Sequence, residues 1–219
     1  MVINGHTPEE YSAFLTHKNI APPEPKIQEV EIPLTDGTVN VSELLSPVVF
    51  YRPRTISIEL ECNALKGEWP AIYSQLLEDI HGQSVEVTFA DDPDYYWTGT
   101  AKVTGMEENR ATCVFSIEVT AQPFKRENTA SQSGSVSIAD TTAAGYTATV
   151  NVTTMRAYPV FTTAVAGVYV AIDDGPKNLL KLGENEPIGM ALTSGEHTLT
   201  FSGGTAASTV AYTLRGAIL

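Results

Sequence analysis

The sequence predicts a mostly β protein of two domains: an antiparallel β domain with one packed helix, then a small β-sandwich. Many segments alternate apolar and polar residues, and a single segment carries an apolar stripe at helical spacing. Charge is also uneven, because residues 1–127 hold 20 acidic and 9 basic groups whereas residues 128–219 hold 6 and 4. We therefore predict domains at 1–127 and 136–219, joined by a polar linker at 128–135.

The chain opens with polar sequence that ends in a proline-rich stretch, Ala21-Pro22-Pro23-Glu24-Pro25-Lys26. Prolines at this density favour an extended, polyproline-like conformation, so residues 1–26 are expected to form an N-terminal arm. The alternating residues 28–32 predict the strand that follows it. An extended segment with few partners of its own gains by lying on another chain. Four residues of the arm are therefore candidate assembly residues, namely Pro22, Pro23, Pro25 and Lys26.

The first domain shows four further strands and its helix. Ile56, Ile58 and Leu60 share one face of a strand at 55–61, and similar alternation predicts strands at 84–90, 96–104 and 111–120. Residues 91–94, Asp-Asp-Pro-Asp, are expected to form the turn between two of them. The helix is predicted near 70–81, with an apolar stripe formed by Trp69, Ile72, Tyr73, Leu76, Leu77 and Ile80.

The second half contains short alternating segments separated by turn residues. They begin at Val136 and recur at 146–152, 168–172, 199–201 and 210–214. The sequences Asp173-Asp174-Gly175-Pro176 and Ser202-Gly203-Gly204 separate some of them. Several short strands at such spacing predict a β-sandwich.

No pattern in the sequence indicates catalysis, a metal site or a cofactor. The histidines match no metal-binding motif: His81 is expected to cap the helix, and His197 to lie on an exposed strand face. Clustered aspartates at 91–94 and 173–174 could ligate calcium, but turns are the favoured interpretation. The sequence lacks a nucleophile elbow, a phosphate loop and a dinucleotide fingerprint. We therefore predict no enzyme activity and no cofactor.

Two cysteines, Cys62 and Cys113, match no zinc or haem spacing. They are expected to be buried thiols on strands, and a disulfide between them stays open on geometric grounds.

Three consecutive aromatic residues, Tyr95, Tyr96 and Trp97, fall on a predicted strand. Tyr95 and Trp97 face one way and Tyr96 the other, so at least one ring is expected to be exposed. Exposed aromatic residues are enriched at interfaces, which makes Tyr95 and Tyr96 candidate assembly residues. A sugar-binding platform and ordinary core packing are the alternatives.

Net charge is −13, the opposite of the basic footprint of nucleic-acid binders. The first six residues show no secretion signal, and no apolar run approaches the roughly 18–20 residues of a membrane helix. We therefore expect a soluble protein without a membrane partner, made in the cytoplasm.

A series of short motifs runs through the first half of the chain in a fixed order. They are Pro25-Lys26, Ile32-Pro33, Asp36-Gly37, Tyr51 with Arg54, Trp69, Ile80-His81-Gly82, Asp92-Pro93, Tyr95-Tyr96, Gly99 and Pro123-Phe124. By their order and spacing, residues 22–124 resemble the N-terminal domain of distal tail proteins (Dit) of siphophages and related prophages. Leu34 departs from the family, which often has glycine after Ile-Pro.

The resemblance implies a structural protein of the virion tail, made in the host bacterium. Six such domains would form a tail-tube-like ring that joins the tail tube protein to a tail-tip or baseplate hub protein. DNA would pass through the lumen without specific binding, since carboxylates repel phosphates. The resemblance also implies a galectin-like or carbohydrate-module-like sandwich on the outside, and it adds Arg54 to the assembly candidates.

Two other functions remain open on the sequence. Residues 136–219 could be a carbohydrate- or receptor-binding module, or the chain could be a β-sandwich hydrolase, for which no pair of catalytic carboxylates stands out. Particle mass distinguishes the first alternative from a ring, because a simple binding module can be a monomer.

Overall fold

The computed structural model describes residues 1–31, 33, 36–42, 48–141 and 145–219. Ile32, the last residue of the strand predicted at 28–32, and Leu34 lie outside the described residues. The chain divides into two compact units, Met1–Lys125 and Arg126–Leu219. Strands hold 59% of the described residues and helices 9%, so the predicted mostly β class with antiparallel sheets and a helix packed in the first unit is confirmed.

The first unit is an antiparallel sheet in the order β1-β6-β7-β8-β5-β2. A second, two-stranded sheet pairs β3 with β4. The elements are β1 Val2–Ile3, a 3-10 turn Pro8–Tyr11, β2 Ala13–Ile20, β3 Glu29–Glu31, β4 Thr38–Asn40, β5 Arg54–Cys62, α1 Trp69–Ile80, β6 Ser84–Phe89, β7 Asp92–Glu108 and β8 Cys113–Ala121.

Period-2 patterning builds the core of this unit. Alternate residues of β5 and β8 are buried, and α1 covers them with the buried Trp69, Leu76 and Ile80. The Trp69 Nε1–H donates to the Ala64 carbonyl oxygen at 2.9 Å, so the indole is buried with its polar atom satisfied. The predicted helix and its four neighbouring strands are therefore confirmed, with bounds shifted by a few residues.

Two expectations for the first unit are wrong. Residues 1–20 are not an arm: they form β1, the 3-10 turn and β2, and they bury Ile3, Tyr11 and Ala13 in the core. The turn expected at 91–94 lies instead at residues 90–91, because Phe89 pairs with Asp92 and Pro93 is already in β7. A two-residue connection between paired strands is a tight hairpin.

Cys62 and Cys113 are buried on β5 and β8, as predicted, and they are directly opposite in the register. Burial, the neighbouring Cys62 and Glu108 raise the pKa of the Cys113 thiol. Both side chains act as small core residues.

Strand β9, Lys125–Glu127, spans the boundary between the units. The second unit contains β10 Gln132–Ile138, β11 Tyr146–Thr163, β12 Val168–Ile172, β13 Asn178–Leu180, β14 Gly183–Asn185, β15 Leu192–Gly203 and β16 Ser208–Ile218. Half of the predicted linker 128–135 is therefore strand, because residues 132–135 pair with β16.

Strand β11 organises the second unit. Its first part pairs with β15, and its last residues pair with β16 and β14, with a register shift between Val152 and Arg156. In β-sandwiches, a strand that bends at a register shift can pair with one set of strands before the bend and with another set after it. The core between them includes Val150, Phe161, Phe201 and Leu214.

Candidate assembly surface

The proline-rich stretch leaves the core of the first unit in an extended conformation. Its base is fixed by two backbone hydrogen bonds: Lys26 N–H donates to the Phe50 carbonyl oxygen, and Arg52 N–H donates to that of Glu24, both at 2.7 Å. Pro25 and Tyr51 form the bridge between these bonds. Of the four candidates here, Pro22, Pro25 and Lys26 are exposed and Pro23 is half-buried.

The stretch continues into the β3–β4 hairpin. All residues of β3 are exposed, and so are Thr38 and Val39 of β4. Within the described chain, β3 and β4 pair only with each other. An isolated two-stranded hairpin is marginally stable in water. We call the described residues between Ala21 and Pro53 the hairpin extension, and it lacks a core of its own.

Large apolar side chains are exposed along the hairpin extension. Five are more than a third exposed, namely Ile27 at 52%, Val30 at 44%, Val39 at 37%, Val49 at 53% and Phe50 at 55%. The rest of the first unit exposes three more, Val2, Phe14 and Leu65, which come from separate elements. A concentration of apolar side chains in one segment marks an interaction site more strongly than scattered ones do.

A groove of about 490 Å³ lies at the base of the extension. It brings together two cations, Lys26 and Arg52, with the apolar Ile27 and Pro53 and the polar Gln28 and Ser42. The Gln28 N–H donates to Ser42 Oγ at 2.8 Å, so a hydrogen bond links two residues of the groove wall. A surface with both charged and apolar groups suits a protein partner.

The assembly candidate Arg54 is placed in the interior of the first unit. Its side chain is only 7% exposed, and its guanidinium lies 4.5 Å from the centre of the Trp97 ring. Burial lowers the pKa of the guanidinium. Because the side chain points into the core face of β5, it is not available on the surface of the folded unit.

The aromatic trio is also more enclosed than expected. Tyr96 and Trp97 are 6% and 5% exposed, so the expectation of an exposed ring holds for neither. Tyr95 is half-buried, and Lys125 Nζ lies 4.5 Å from its ring centre while bonding Asp92 at 2.5 Å. Of the two tyrosine candidates, only Tyr95 reaches the surface.

Two of the histidines, His81 and His197, are hydrogen-bonded within their own units. His81 is the C-cap residue of α1, as predicted: its backbone N–H donates to the Leu77 carbonyl oxygen, and its Nδ1 accepts a hydrogen bond from Val103 N–H, both at 3.1 Å. The side chain of His197 is hydrogen-bonded to Asp173 and is only 13% exposed, so the prediction of an exposed position was wrong. Across the described ranges, no three histidine, cysteine or acidic residues group as metal ligands.

The most exposed apolar residues of the extension, Val49 and Phe50, were not among the predicted assembly residues. Their signal was an apolar run just before Tyr51, without the alternation that marks a half-buried strand. In the described part of the chain, no helix is both long and apolar enough to cross a membrane.

The geometry defines a class of two-unit β proteins in which the first unit carries a packed helix and an exposed β3–β4 hairpin. No family model and no curated protein matches the sequence. Among solved structures, the Dit protein (gp 19.1) of phage SPP1 is similar over 100% of this chain and 98% of its own, with TM-score 0.57 and 13% identity. A chain of the activated phage p2 baseplate is similar over 92% and 90%, with TM-score 0.39 and 8% identity. The chain therefore has a Dit-like fold, as the resemblance implied.

Proposed function

We propose that this chain is a structural ring component of a phage tail that joins the tail tube to the tail tip or baseplate. The observation that carries the proposal is the fold likeness over the whole chain to SPP1 Dit, which is described as a paradigm of the hub adsorption apparatus in phages that infect Gram-positive bacteria. The match includes both units. The proposal is therefore supported by the two-unit organisation and not only by the fold of the first unit.

The hairpin extension is the surface we assign to self-assembly. Its exposed apolar side chains and isolated hairpin need a covering partner, and a neighbouring copy supplies one in a ring. Each copy would present the extension to one neighbour and a different surface to the other, and such head-to-tail contacts close when the rotation allows. The number six comes from the family resemblance and not from the contacts of this chain.

The charge of the first unit suits a conduit for DNA. On the face of the β5–β8 pair that points away from the core, Glu59 and Glu118 are exposed and Glu61 is half-exposed. We assign this face to the lumen, where carboxylates keep phosphates from binding. The remaining partners would be the tail tube protein and a tail-tip or baseplate hub protein, and the protein would be located in the virion tail.

The proposal is tested by measuring the sedimentation mass of the full-length protein, first alone and then with the tail tube protein added. Wild type is expected to form a closed ring, and Ile27→Ser combined with Val30→Ser is expected to remain monomeric with an unchanged Tm. Leu65→Ser is the matched control, because Leu65 is 76% exposed but lies outside the extension. A full-length protein that stays monomeric at high concentration with the tube protein present would defeat the ring. Monomers that bind cell-wall sugar would favour a binding module instead.

A further inference from the structure

The turn after β12 is held in a strained conformation. Asp173 and Asp174 have φ of 47° and 60°, and Gly175 N–H donates to the Ile172 carbonyl oxygen at 2.7 Å. Two central residues with positive φ and this hydrogen bond define a type I′ turn, which favours asparagine and glycine. An aspartate pair at these positions therefore needs support from its surroundings.

The support comes from Asp173, whose carboxylate bonds β15 at two points. Oδ1 accepts from Thr198 N–H at 2.8 Å, and Oδ2 lies 2.5 Å from His197 Nδ1. The backbone N–H of Asp173 also donates to the Thr198 carbonyl oxygen at 3.0 Å. The turn is thus joined to the strand by one backbone bond and both carboxylate oxygens.

Both nitrogens of the His197 ring face acceptors. Nδ1 faces the Asp173 carboxylate, and Nε2 lies 2.9 Å from the Thr193 carbonyl oxygen. A neutral imidazole has one N–H, so either tautomer would leave a nitrogen lone pair facing an oxygen. Only the imidazolium donates to both.

The surroundings of the ring add no competing charge. Asp173 is the one charged side chain that acts on His197 among the described residues. Strand β11 places Val150 opposite it, and Glu196 precedes it on the other face of β15. Burial by itself lowers the pKa of His197, but the bonds to Asp173 and Thr193 outweigh burial and raise it. Burial likewise raises the pKa of Asp173, but the bonds from His197 and Thr198 outweigh it, so the net shift is downward.

We propose that Asp173 and His197 form a pH-sensitive latch, which holds the strained turn closed while His197 is protonated and lets it open when the proton is lost. The turn leads into β13, which pairs with β12 alone in the described chain. An open turn therefore loosens the Asn178–Leu180 edge. A group whose folded pKa is raised stabilises the fold fully below its ordinary pKa, and this is lost as pH rises through the folded pKa.

Histidine-ring NMR and amide exchange of the full chain test the latch. His197→Gln assigns the ring signals among the four histidines. In wild type, both His197 ring N–H signals are expected at low pH, and the Thr198 amide should lose protection as His197 titrates, after correction for intrinsic exchange. Asp173→Asn keeps an oxygen for Thr198 but removes the charge, so the His197 pKa should fall.

Asp174→Gly is the matched control, because it relieves the backbone strain without touching the latch atoms. Its His197 should titrate as in wild type, while the loss of Thr198 protection becomes smaller. The latch is overturned if Asp173→Asn leaves the His197 titration unchanged. It is equally overturned if Thr198 protection in wild type does not follow that titration.

Discussion

The guanidinium of Arg54 stacks on the ring of Trp97, and its Nε and Nη2 have no hydrogen-bond partner within the described chain. Burying a charge costs desolvation free energy, and contact with the face of an aromatic ring offsets only part of that cost when hydrogen bonds are missing. The Arg54 side chain nevertheless packs against Trp97, which belongs to the core of the first unit.

From this we predict opposite outcomes for two substitutions of Arg54. Arg54→Met keeps the volume and removes the unsatisfied donors, so the free energy of unfolding should stay the same or rise by about 1 kcal/mol or more. Arg54→Ala leaves a cavity and should lose about 2 kcal/mol or more. Urea unfolding measures both. If Arg54→Met abolished assembly of the oligomeric ring while stability stayed unchanged, this would support the assembly role that the sequence predicted for Arg54.

Gly99 and Gly105 offer a paired test on the same strand. A Cβ added at Gly99 would clash with the Thr120 carbonyl oxygen, whereas one at Gly105 meets nothing within 4 Å. Gly99→Ala should therefore cost about 1–3 kcal/mol or more by overpacking β7 against β8. Gly105→Ala should be neutral or slightly stabilising. Equal effects of the two substitutions on Tm would contradict the close approach of the β8 backbone to Gly99.

Trp69 should be a major contributor to the stability of the first unit. It is 2% exposed, so Trp69→Ala is expected to cost about 3–5 kcal/mol in urea unfolding. Trp69→Phe keeps a ring but loses the donor to Ala64, and should cost less. A loss under about 1 kcal/mol for the alanine variant would contradict the burial.

Tyr11 should make the first unit sensitive to alkali. Burial first, and then the bond from its hydroxyl to Asp79 at 2.9 Å, raise the Tyr11 pKa strongly above the ordinary value of 10.0. The unfolded chain loses this proton more easily, so stability is present below pH 10 and declines as pH rises above it. Tyr11→Phe should lose about 1 kcal/mol at neutral pH. The stability of Tyr11→Phe should also fall less than that of wild type between pH 10 and 11, which thermal unfolding at both pH values measures.

We also propose that the two units are separable. Residues 128–131 lie between β9 and β10 and outside both strands. Brief proteolysis is expected to cleave there first and to leave two resistant fragments. First cleavage elsewhere, with residues 128–131 intact, would count against this boundary.

The elements that the sequence predicted well have regular periods. Strands β5 and β8 alternate without interruption, and α1 keeps its stripe from Trp69 to Ile80. Strand β2 was missed because its register shifts between Leu15 and His17, which breaks the alternation. The second half of β11 was missed because Pro159 usually excludes a central strand.

The candidate surface was only partly predictable, for a physical reason. Alternation shows that neighbouring side chains point in opposite directions, but not whether both directions are covered. Tyr96 and Trp97 are both buried because both faces of β7 are covered at that point. The exposed extension was indicated by its prolines, which cannot donate to a ladder.

The last strand of the second unit has a consequence for how the protein is made. Strand β16 is the only backbone partner of β10 in the described chain, and it pairs with β11 as well. Once Lys125 has emerged from the ribosome, strands β1 to β8 of the first unit have emerged as well. The second unit must wait for Ser208–Ile218 to emerge, so β10 and part of β11 stay unpaired until translation of that segment is complete. A nascent chain stalled before residue 208 should therefore carry a folded first unit and an aggregation-prone remainder.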